Sequence, residues 1–443
     1  MKVTVIGVGY VGLITGVCLA SIGHEVVCID NDAEKIKMLA RGETPIYEKQ
    51  LAELLHTQQT RRNIIFTNKK EVAYEQPEII IIAVGTPEDN NGAANMQYFE
   101  SALADVIQNV NNDVLLMIKS TVPIGTGDNT AALVKKEIKS NINISVVSNP
   151  EFLSQGTAIN DMLFGDRIIV GLDEQGKNYL REKNIISTLY SKFFQKIIFV
   201  NRIEAELIKY VANSFLSTKI SFINEIANFS ELVGANIDNI VSGIGEDKRI
   251  GKEFFQAGIG FGGSCFPKDL NAIINFGEKE YNYKFEILNA VLKVNNKQKI
   301  RLYDVSKSIF KDFYNKNIAI LGLSYKANTN DTRESAAYKN IDLLLEEGAN
   351  ITVYDPYAID QVKIKYAERL TYNNCIEDTI NGVDMVFIFA DWDEIKTFPV
   401  EKYRLLMNKP YIFDGRGCYD LTIMSNHLIR YFSIGRTKLK EAF

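Results

Sequence analysis

One eight-residue pattern occurs twice in this chain, far apart: Gly23-His24-Glu25-Val26-Val27-Cys28-Ile29-Asp30 and Gly348-Ala349-Asn350-Ile351-Thr352-Val353-Tyr354-Asp355. Each copy follows a short apolar run (3–6 or 318–321) and a helical stretch. A β-branched run ending in aspartate, placed after a strand and a helix, is the grammar of a βαβ unit. Its recurrence predicts two separate Rossmann-like, doubly wound α/β domains.

The rest of the chain fits that frame. Residues 79–84, 114–118, 145–147 and 167–171 read as further strands of the first domain, with amphipathic stretches at 97–110 and 126–139 between them. Residues 385–389 and 411–413 continue the second. Between the two, helical periodicity runs from 204 to 233 without Pro or Gly, and more helix is expected at 238–244 and 286–313. A helix of about 30 residues exceeds the usual globular length and suits a bridge between domains or subunits. The domains expected are therefore 1–200, 201–313 (a long central helix within an all-α middle) and 314–443. At 443 residues the chain is too long for one ordinary core.

Composition excludes some functions. The net charge of −5 supplies no basic surface, so nucleic acid is not an expected partner. Five scattered cysteines with no CxxC pair argue against a disulfide framework or a zinc site, and for a reducing, cytoplasmic setting. The apolar N-terminus is broken by regularly spaced glycines and offers no cleavage site, and no stretch is long and apolar enough to imply a membrane span.

Gly7-Val8-Gly9-Tyr10-Val11-Gly12 is a GxGxxG motif directly after a strand and at the start of a helix. The glycines allow a tight turn, close approach of a pyrophosphate and close helix–sheet packing, and the helix N-terminus attracts the phosphates. Asp30 ends the second strand where a carboxylate accepts a ribose 2′-hydroxyl. Asn31 and Asp32 follow it with no arginine, so NAD is favoured over NADP. Val84-Gly85-Thr86-Pro87 ends another strand and would line the same crevice.

The second informative segment runs Gly258-Ile259-Gly260-Phe261-Gly262-Gly263-Ser264-Cys265-Phe266-Pro267-Lys268-Asp269. Its glycines would let backbone approach a ligand and leave the thiol accessible, with Lys268 favouring the thiolate and Asp269 exchanging protons. A nucleophilic thiol in a dehydrogenase serves one purpose: it captures an aldehyde so that a second hydride can leave and a thioester can form. Hydrolysis of that thioester needs a base and a partner for the oxyanion. Glu151, at a strand end, and Lys209 with Asn213, at i and i+4 on the long helix, are candidates. Taken by spacing alone, Glu151 also reads as a turn acid and Lys209 as part of a solvated face.

Together these segments resemble the UDP-glucose 6-dehydrogenase family, within the nucleotide-sugar dehydrogenases. The resemblance rests on GVGYVG, VGTP (84–87), KSTVPIGT (119–126), SNPEFL (148–153), DRIIVG (166–171), ELIKYVANSF (206–215), RIG (249–251), GFGGSCFPKD (260–269), DTRES (331–335) and FDGRG (413–417). It implies four-electron oxidation of UDP-glucose to UDP-glucuronate with two NAD per sugar, a homodimer built on the central helix, and a product used for polysaccharide synthesis. By position it makes Cys265 the nucleophile and Lys209 the oxyanion-stabilising ammonium. Asn213, Asp269 and Thr121 would hold the water and proton network, and Glu151 would assist hydrolysis. NAD would be held by Gly7, Gly9, Tyr10, Val11, Gly12, Asp30, Lys35, Gly85, Thr86, Thr121 and Arg333. The sugar nucleotide would meet Glu151, Phe152, Leu153, Lys209, Asn213, Phe261, Gly262, Gly263, Lys326 and Arg416. Arg249 resembles an arginine that reaches a neighbouring subunit's substrate. No metal is implied.

Two positions depart from the family pattern. Gln155 stands where a second glutamate is usual and cannot act as a base, and Asn95 stands where aspartate is common. The alternative substrate is GDP-mannose or another nucleotide sugar. A two-electron hydroxyacid-type dehydrogenase would leave the glycine–cysteine loop without a use, and a non-catalytic NAD sensor would need neither thiol nor lysine.

Overall fold

The structure is a computed structural model that describes residues 1–89, 92–138 and 141–436. Two compact units emerge from it: Met1–Ala212 with Asn271–Tyr281, and Asn213–Leu270 with Asn282–Phe443.

The first unit is built on eight strands: β1 (Lys2–Ile6), β2 (Glu25–Ile29), β3 (Ile64–Thr67), β4 (Ile79–Ile82), β5 (Val114–Ile118), β6 (Ile144–Ser148), β7 (Arg167–Leu172) and β8 (Lys196–Asn201). Their order is β3-β2-β1-β4-β5-β6-β7-β8. Every neighbouring pair is parallel except β6 and β7, which meet antiparallel at Ser148 and Gly171. A sheet covered by helices on both faces needs strands that are apolar on both sides. Strand β4 is four isoleucines, all buried. Ile79 and Ile81 join Val3, Val5, Leu115 and Met117 in one core, whereas Ile80 and Ile82 join Ile6, Leu116 and Ile118 in the other. Strand order reverses between β1 and β4, so the crevice at their C-terminal ends is the natural ligand position.

The second unit repeats the plan with six strands: β9 (Asn317–Leu321), β10 (Asn350–Tyr354), β11 (Thr371–Tyr372), β12 (Met385–Ile388), β13 (Tyr411–Asp414) and β14 (Arg430–Ser433). The order is β11-β10-β9-β12-β13-β14, parallel throughout. Its core gathers Ile318, Ile320, Val353, Phe387 and Phe413 under Ile341 and Leu344 of the helix Ala336–Glu346. Two doubly wound sheets with a helical middle are thus what the chain forms.

The periodic stretch from 204 is one helix, Arg202–Val233, but in its first half the polarity is the reverse of what amphipathic spacing suggests. Lys209 and Asn213 point inward and are buried, whereas Val211 and Phe215 are 52% and 64% exposed. Residues 286–313, expected as one helix, form two: Glu286–Gln298 and Arg301–Ile309. The break has a local cause. Lys299 turns inward to Glu334 at 2.7 Å, and its carbonyl is taken by the Asn340 side chain at 2.8 Å. A further helix, Phe266–Tyr281, was not expected. The helix expected at 126–139 is Thr126–Glu137, with Lys139 outside the described residues. No described helix is long and apolar enough to cross a membrane.

Candidate active site

In the first unit the GxGxxG turn has the geometry its glycines require. Gly7 adopts φ +93°, and a Cβ on Gly12 would stand 1.8 Å from the Gly7 carbonyl oxygen. Around Gly9 there is open space where a side chain would begin. The helix Tyr10–Ser21 starts there with no side chain capping it, so its first N–H groups are directed at whatever occupies that space. Asp30, at the end of β2, accepts from the Val8 amide at 2.8 Å and from the Asp32 amide at 2.9 Å, with the Lys35 ammonium 3.8 Å away. Its side chain is 17% exposed, and each oxygen retains lone-pair capacity for a ribose hydroxyl. Gly85 is open in the same way as Gly9, and Thr86 donates to the Thr121 carbonyl at 2.7 Å, tying the ends of β4 and β5 together. A dinucleotide fits these residues.

Glu151 and Lys209 prove to be partners. Lys209 Nζ lies 2.9 Å from Glu151 Oε1, and the two side chains are 4% and 6% exposed. Neither is a solvated-face residue, and Glu151 is a turn acid only in part, accepting from the Leu153 amide at 2.5 Å. Burial alone would raise the Glu151 carboxyl. Lys209, the Leu153 amide and Lys119 outweigh it and hold the group below the usual carboxylate range. Lys209 also lies over the Phe152 ring at 5.5 Å, which Arg167 approaches at 4.1 Å. Thr121, Ser148, Glu206 and Lys209 line a small pocket beside this pair.

Three buried side chains of the first unit matter here although spacing did not single them out. Glu206 accepts from the amides of Gly125 and Gly127 (2.6 and 2.8 Å) and from the Ser148 hydroxyl at 2.8 Å, fixing the 121–127 segment against the long helix. Lys119 reaches the Asn149 side-chain oxygen at 3.2 Å, and Tyr190 donates to the same oxygen at 2.7 Å. Lys119 and Glu206 lie inside the quoted runs KSTVPIGT and ELIKYVANSF, yet nothing in the spacing marks a lysine or glutamate there as buried.

In the second unit Cys265 stands immediately before the helix Phe266–Tyr281, and its carbonyl accepts from the Asp269 amide at 2.8 Å. A thiol in that position meets the positive end of the helix dipole, which favours its thiolate. Asp269, almost wholly buried, accepts from the Asn213 side chain at 2.6 Å and faces Lys268 at 2.9 Å. Lys268 is therefore engaged with Asp269 as well as near the thiol in sequence. The glycines before Cys265 are required by the protein's own packing. A Cβ on Gly262 would lie 2.4 Å from the Glu334 carbonyl oxygen, and one on Gly263 2.8 Å from the Tyr325 ring.

The remaining candidates sit apart or in loops of that unit. Gly263 donates to the Arg333 carbonyl at 2.9 Å, while the Arg333 guanidinium pairs with Asp331 at 2.6 Å. Arg416, partly buried, donates to the carbonyls of Phe389 and Tyr325 at 2.9 and 2.6 Å, and Lys326 lies 5.6 Å from the Tyr325 ring centre. Phe261 is buried with Leu270 and Val291. Arg249 is exposed and paired with Asp247 at 2.6 Å. Asn95, the departure from aspartate, accepts from the Gln97 amide at 3.0 Å, a turn-forming role that either residue performs.

Residues 1–194 match the NAD binding domain of the UDP-glucose/GDP-mannose dehydrogenase family, residues 203–297 its central domain and residues 319–421 its UDP binding domain. The chain is 44% identical over 438 residues to UDP-glucose 6-dehydrogenase YwqF of Bacillus subtilis (strain 168), covering 98% of each. It is 38% identical over 443 residues to the UDP-glucose 6-dehydrogenase of Rickettsia typhi, covering 98% of this chain and 99% of that one. The solved structure of a UDP-glucose dehydrogenase from the hyperthermophilic archaeon Pyrobaculum islandicum matches with a TM-score of 0.87 at 34% identity, over 94% of both chains.

Proposed function

Because the chain belongs to the UDP-glucose/GDP-mannose dehydrogenase family, whose NAD binding domain it carries, we propose that it oxidises UDP-glucose to UDP-glucuronate through a covalent adduct on Cys265. The full-length likeness to enzymes named UDP-glucose 6-dehydrogenase carries this reading. The chain is an NAD-dependent dehydrogenase. The choice of sugar, the thiol route and the residue roles are the proposal.

NAD, when bound, accepts one hydride at each of the two oxidations. Gly7, Gly9, Gly12, Asp30 and Lys35 hold it, with Tyr10, Val11, Gly85, Thr86, Thr121 and Arg333 completing the contacts. The sugar's primary alcohol first loses a hydride and a proton to become an aldehyde. The Cys265 thiolate then adds to the carbonyl carbon, forming a C–S bond and an oxyanion. Loss of a second hydride from that adduct leaves a thioester. Water adds to the thioester, the C–S bond breaks, and the carboxylate departs with the thiolate restored.

Each tetrahedral species carries negative oxygen, which the Lys209 ammonium stabilises. Glu151 keeps that ammonium charged and, being ionised at neutral pH, accepts a proton from the attacking water. With Gln155 unable to share this work, Glu151 is the single carboxylate for it. Asn213 holds Asp269 in place to receive the proton released as the alcohol and thiol react. Phe152, Leu153, Phe261, Gly262, Gly263, Lys326 and Arg416 hold the nucleotide sugar.

We assign the exposed apolar face of the Arg202–Val233 helix (Leu207, Val211, Phe215, Phe222 and Phe229) to a homodimer contact, with Arg249 reaching the neighbouring subunit's substrate. Light scattering should give twice the chain mass, and the chain mass alone would remove that assignment. The scattered cysteines and acidic balance suit the cytoplasm.

The deciding measurement is NADH formed per limiting UDP-glucose with excess NAD. Two per sugar supports the four-electron route. One per sugar would mean an alcohol dehydrogenase that stops at the aldehyde. None, with turnover of GDP-mannose instead, would move the reading to the sister substrate.

A further inference from the structure

The segment between the helices Ala33–Ala40 and Leu51–Thr60 brings a buried carboxylate, Glu48, to a place where it touches two functional elements at once. Its Oε2 accepts from the Tyr10 hydroxyl and from the Gly156 amide, the latter at 2.7 Å. Its Oε1 accepts from the Ala158 amide at 3.0 Å. The Gly156 amide also lies 3.3 Å from the Tyr10 hydroxyl oxygen, so the three groups share one network. Tyr10 is the first residue of the helix that opens on the dinucleotide turn. Gly156 closes the segment that carries Glu151, Phe152 and Leu153, and does so at φ +90°. The helix that follows, Ala158–Phe164, has no cap from its own Thr157 side chain; Glu48 supplies the acceptor.

We propose that Glu48 is a positioning residue that couples the cofactor turn to the sugar-binding segment of the first unit. The inference rests on the reading of residues 151–153 as sugar contacts. Tyr10 cannot shift at the start of the dinucleotide helix without disturbing the carboxylate that fixes Gly156 and Ala158. A carboxylate is suited to this task because one group accepts several N–H and O–H donors at once, and charge-assisted hydrogen bonds are the stronger kind. Occupancy of the dinucleotide turn thereby orders the loop on which Glu151 faces Lys209, and cofactor and sugar bind with positive coupling.

Steady-state kinetics of the wild type, Tyr10→Phe, Glu48→Gln and the double variant test the coupling, with UDP-glucose and NAD each varied. Tyr10→Phe, although it lies on the cofactor helix, is expected to raise KM for UDP-glucose about fivefold. Adding it to Glu48→Gln should produce no further rise, because the hydroxyl acts through that carboxylate. A Tyr10→Phe effect confined to KM for NAD, or single effects that multiply in the double variant, would overturn the proposal. If Glu48→Gln does not fold, Tyr10→Phe alone still decides through which KM it changes. Wild-type turnover of UDP-glucose scores the proposed function separately; should the enzyme oxidise GDP-mannose instead, the same four variants are compared on that sugar.

Discussion

The two sheets share a plan and differ in what they do with one aspartate. In each, a glycine with positive φ follows the first strand, Gly7 after β1 and Gly322 after β9. In each, an aspartate ends the second strand and accepts an amide from the glycine turn: Val8 to Asp30 at 2.8 Å, Leu323 to Asp355 at 2.7 Å. There the likeness stops. Asp355 also accepts from the Ser324 amide and hydroxyl, from the amides of Tyr357 and Ala358, and from the Trp392 indole at 3.2 Å. It is 2% exposed, with its acceptor positions filled from within. The helix after Gly7 begins at Tyr10, whereas the helix after Gly322 begins only at Ala336. A dinucleotide therefore finds an open acid and a helix N-terminus in the first unit, and neither in the second. The topology is common to both; the binding site depends on lone pairs left unused and on where a helix starts.

The strongest way to break this comparison is to remove the thiol. If the thiol serves the chemistry and takes no part in holding the cofactor, Cys265→Ser should lower net turnover by at least about a thousandfold while leaving the NADH dissociation constant unchanged. Stopped turnover together with weakened NADH binding, seen in a fluorescence titration, would mean that the units do not divide the work in this way. Exchanging the two aspartates sharpens the contrast. Asp355→Ala strands several buried donors and should cost about 4 kcal/mol in urea unfolding. Asp30→Ala should barely move the unfolding midpoint but weaken NADH about tenfold, roughly 1.4 kcal/mol. Equal losses of stability in the two variants would show that Asp30 is as structural as its counterpart.

Much of this was legible in the sequence, and the misses follow a pattern. The strands that repetition and β-branching revealed are the interior ones, such as β4, whose four isoleucines face two cores. The strands that were missed, β3, β8, β11 and β14, are the four sheet edges. An edge strand pairs on one side only and is less completely covered, as Lys196–Asn201 is, with none of its residues buried. The helix Arg202–Val233 is legible in its periodicity, but spacing alone reads Lys209 as solvated, whereas it is buried. Spacing locates a stripe of Val211 and Phe215 without saying whether the core or a partner covers it. The turn at Gly7 and the acid Asp30 were readable because their chemistry is local. The pairing of Glu151 with Lys209 was not, since it joins residues 58 positions apart.

A buried lysine in each unit gives the most specific contrast. Lys299 of the second unit faces the carboxylate of Glu334 at 2.7 Å, and that pairing offsets part of the lowering that burial imposes. Lys119 of the first unit bonds the neutral Asn149 amide, and burial brings it from 10.5 down to about 8, with Glu151 opposing the fall and Lys209 adding to it. Between about pH 8 and 10.5 the unfolded chain binds more protons at this site than the folded one. Stability must therefore rise with pH across that window, and the full penalty is present below it. The span of the shift corresponds to about 3 kcal/mol. In Lys119→Met this rise should be absent, and the variant should be at least as stable as the wild type near neutral pH. Urea unfolding of both proteins at several pH values checks this, and parallel curves would exclude Lys119 as a buried cation. The reason to keep so costly a charge is Glu151: a cation beside it helps hold that carboxylate ionised. The same Lys119→Met variant should accordingly shift the acid limb of the pH–rate profile upward, because Glu151 then protonates more readily.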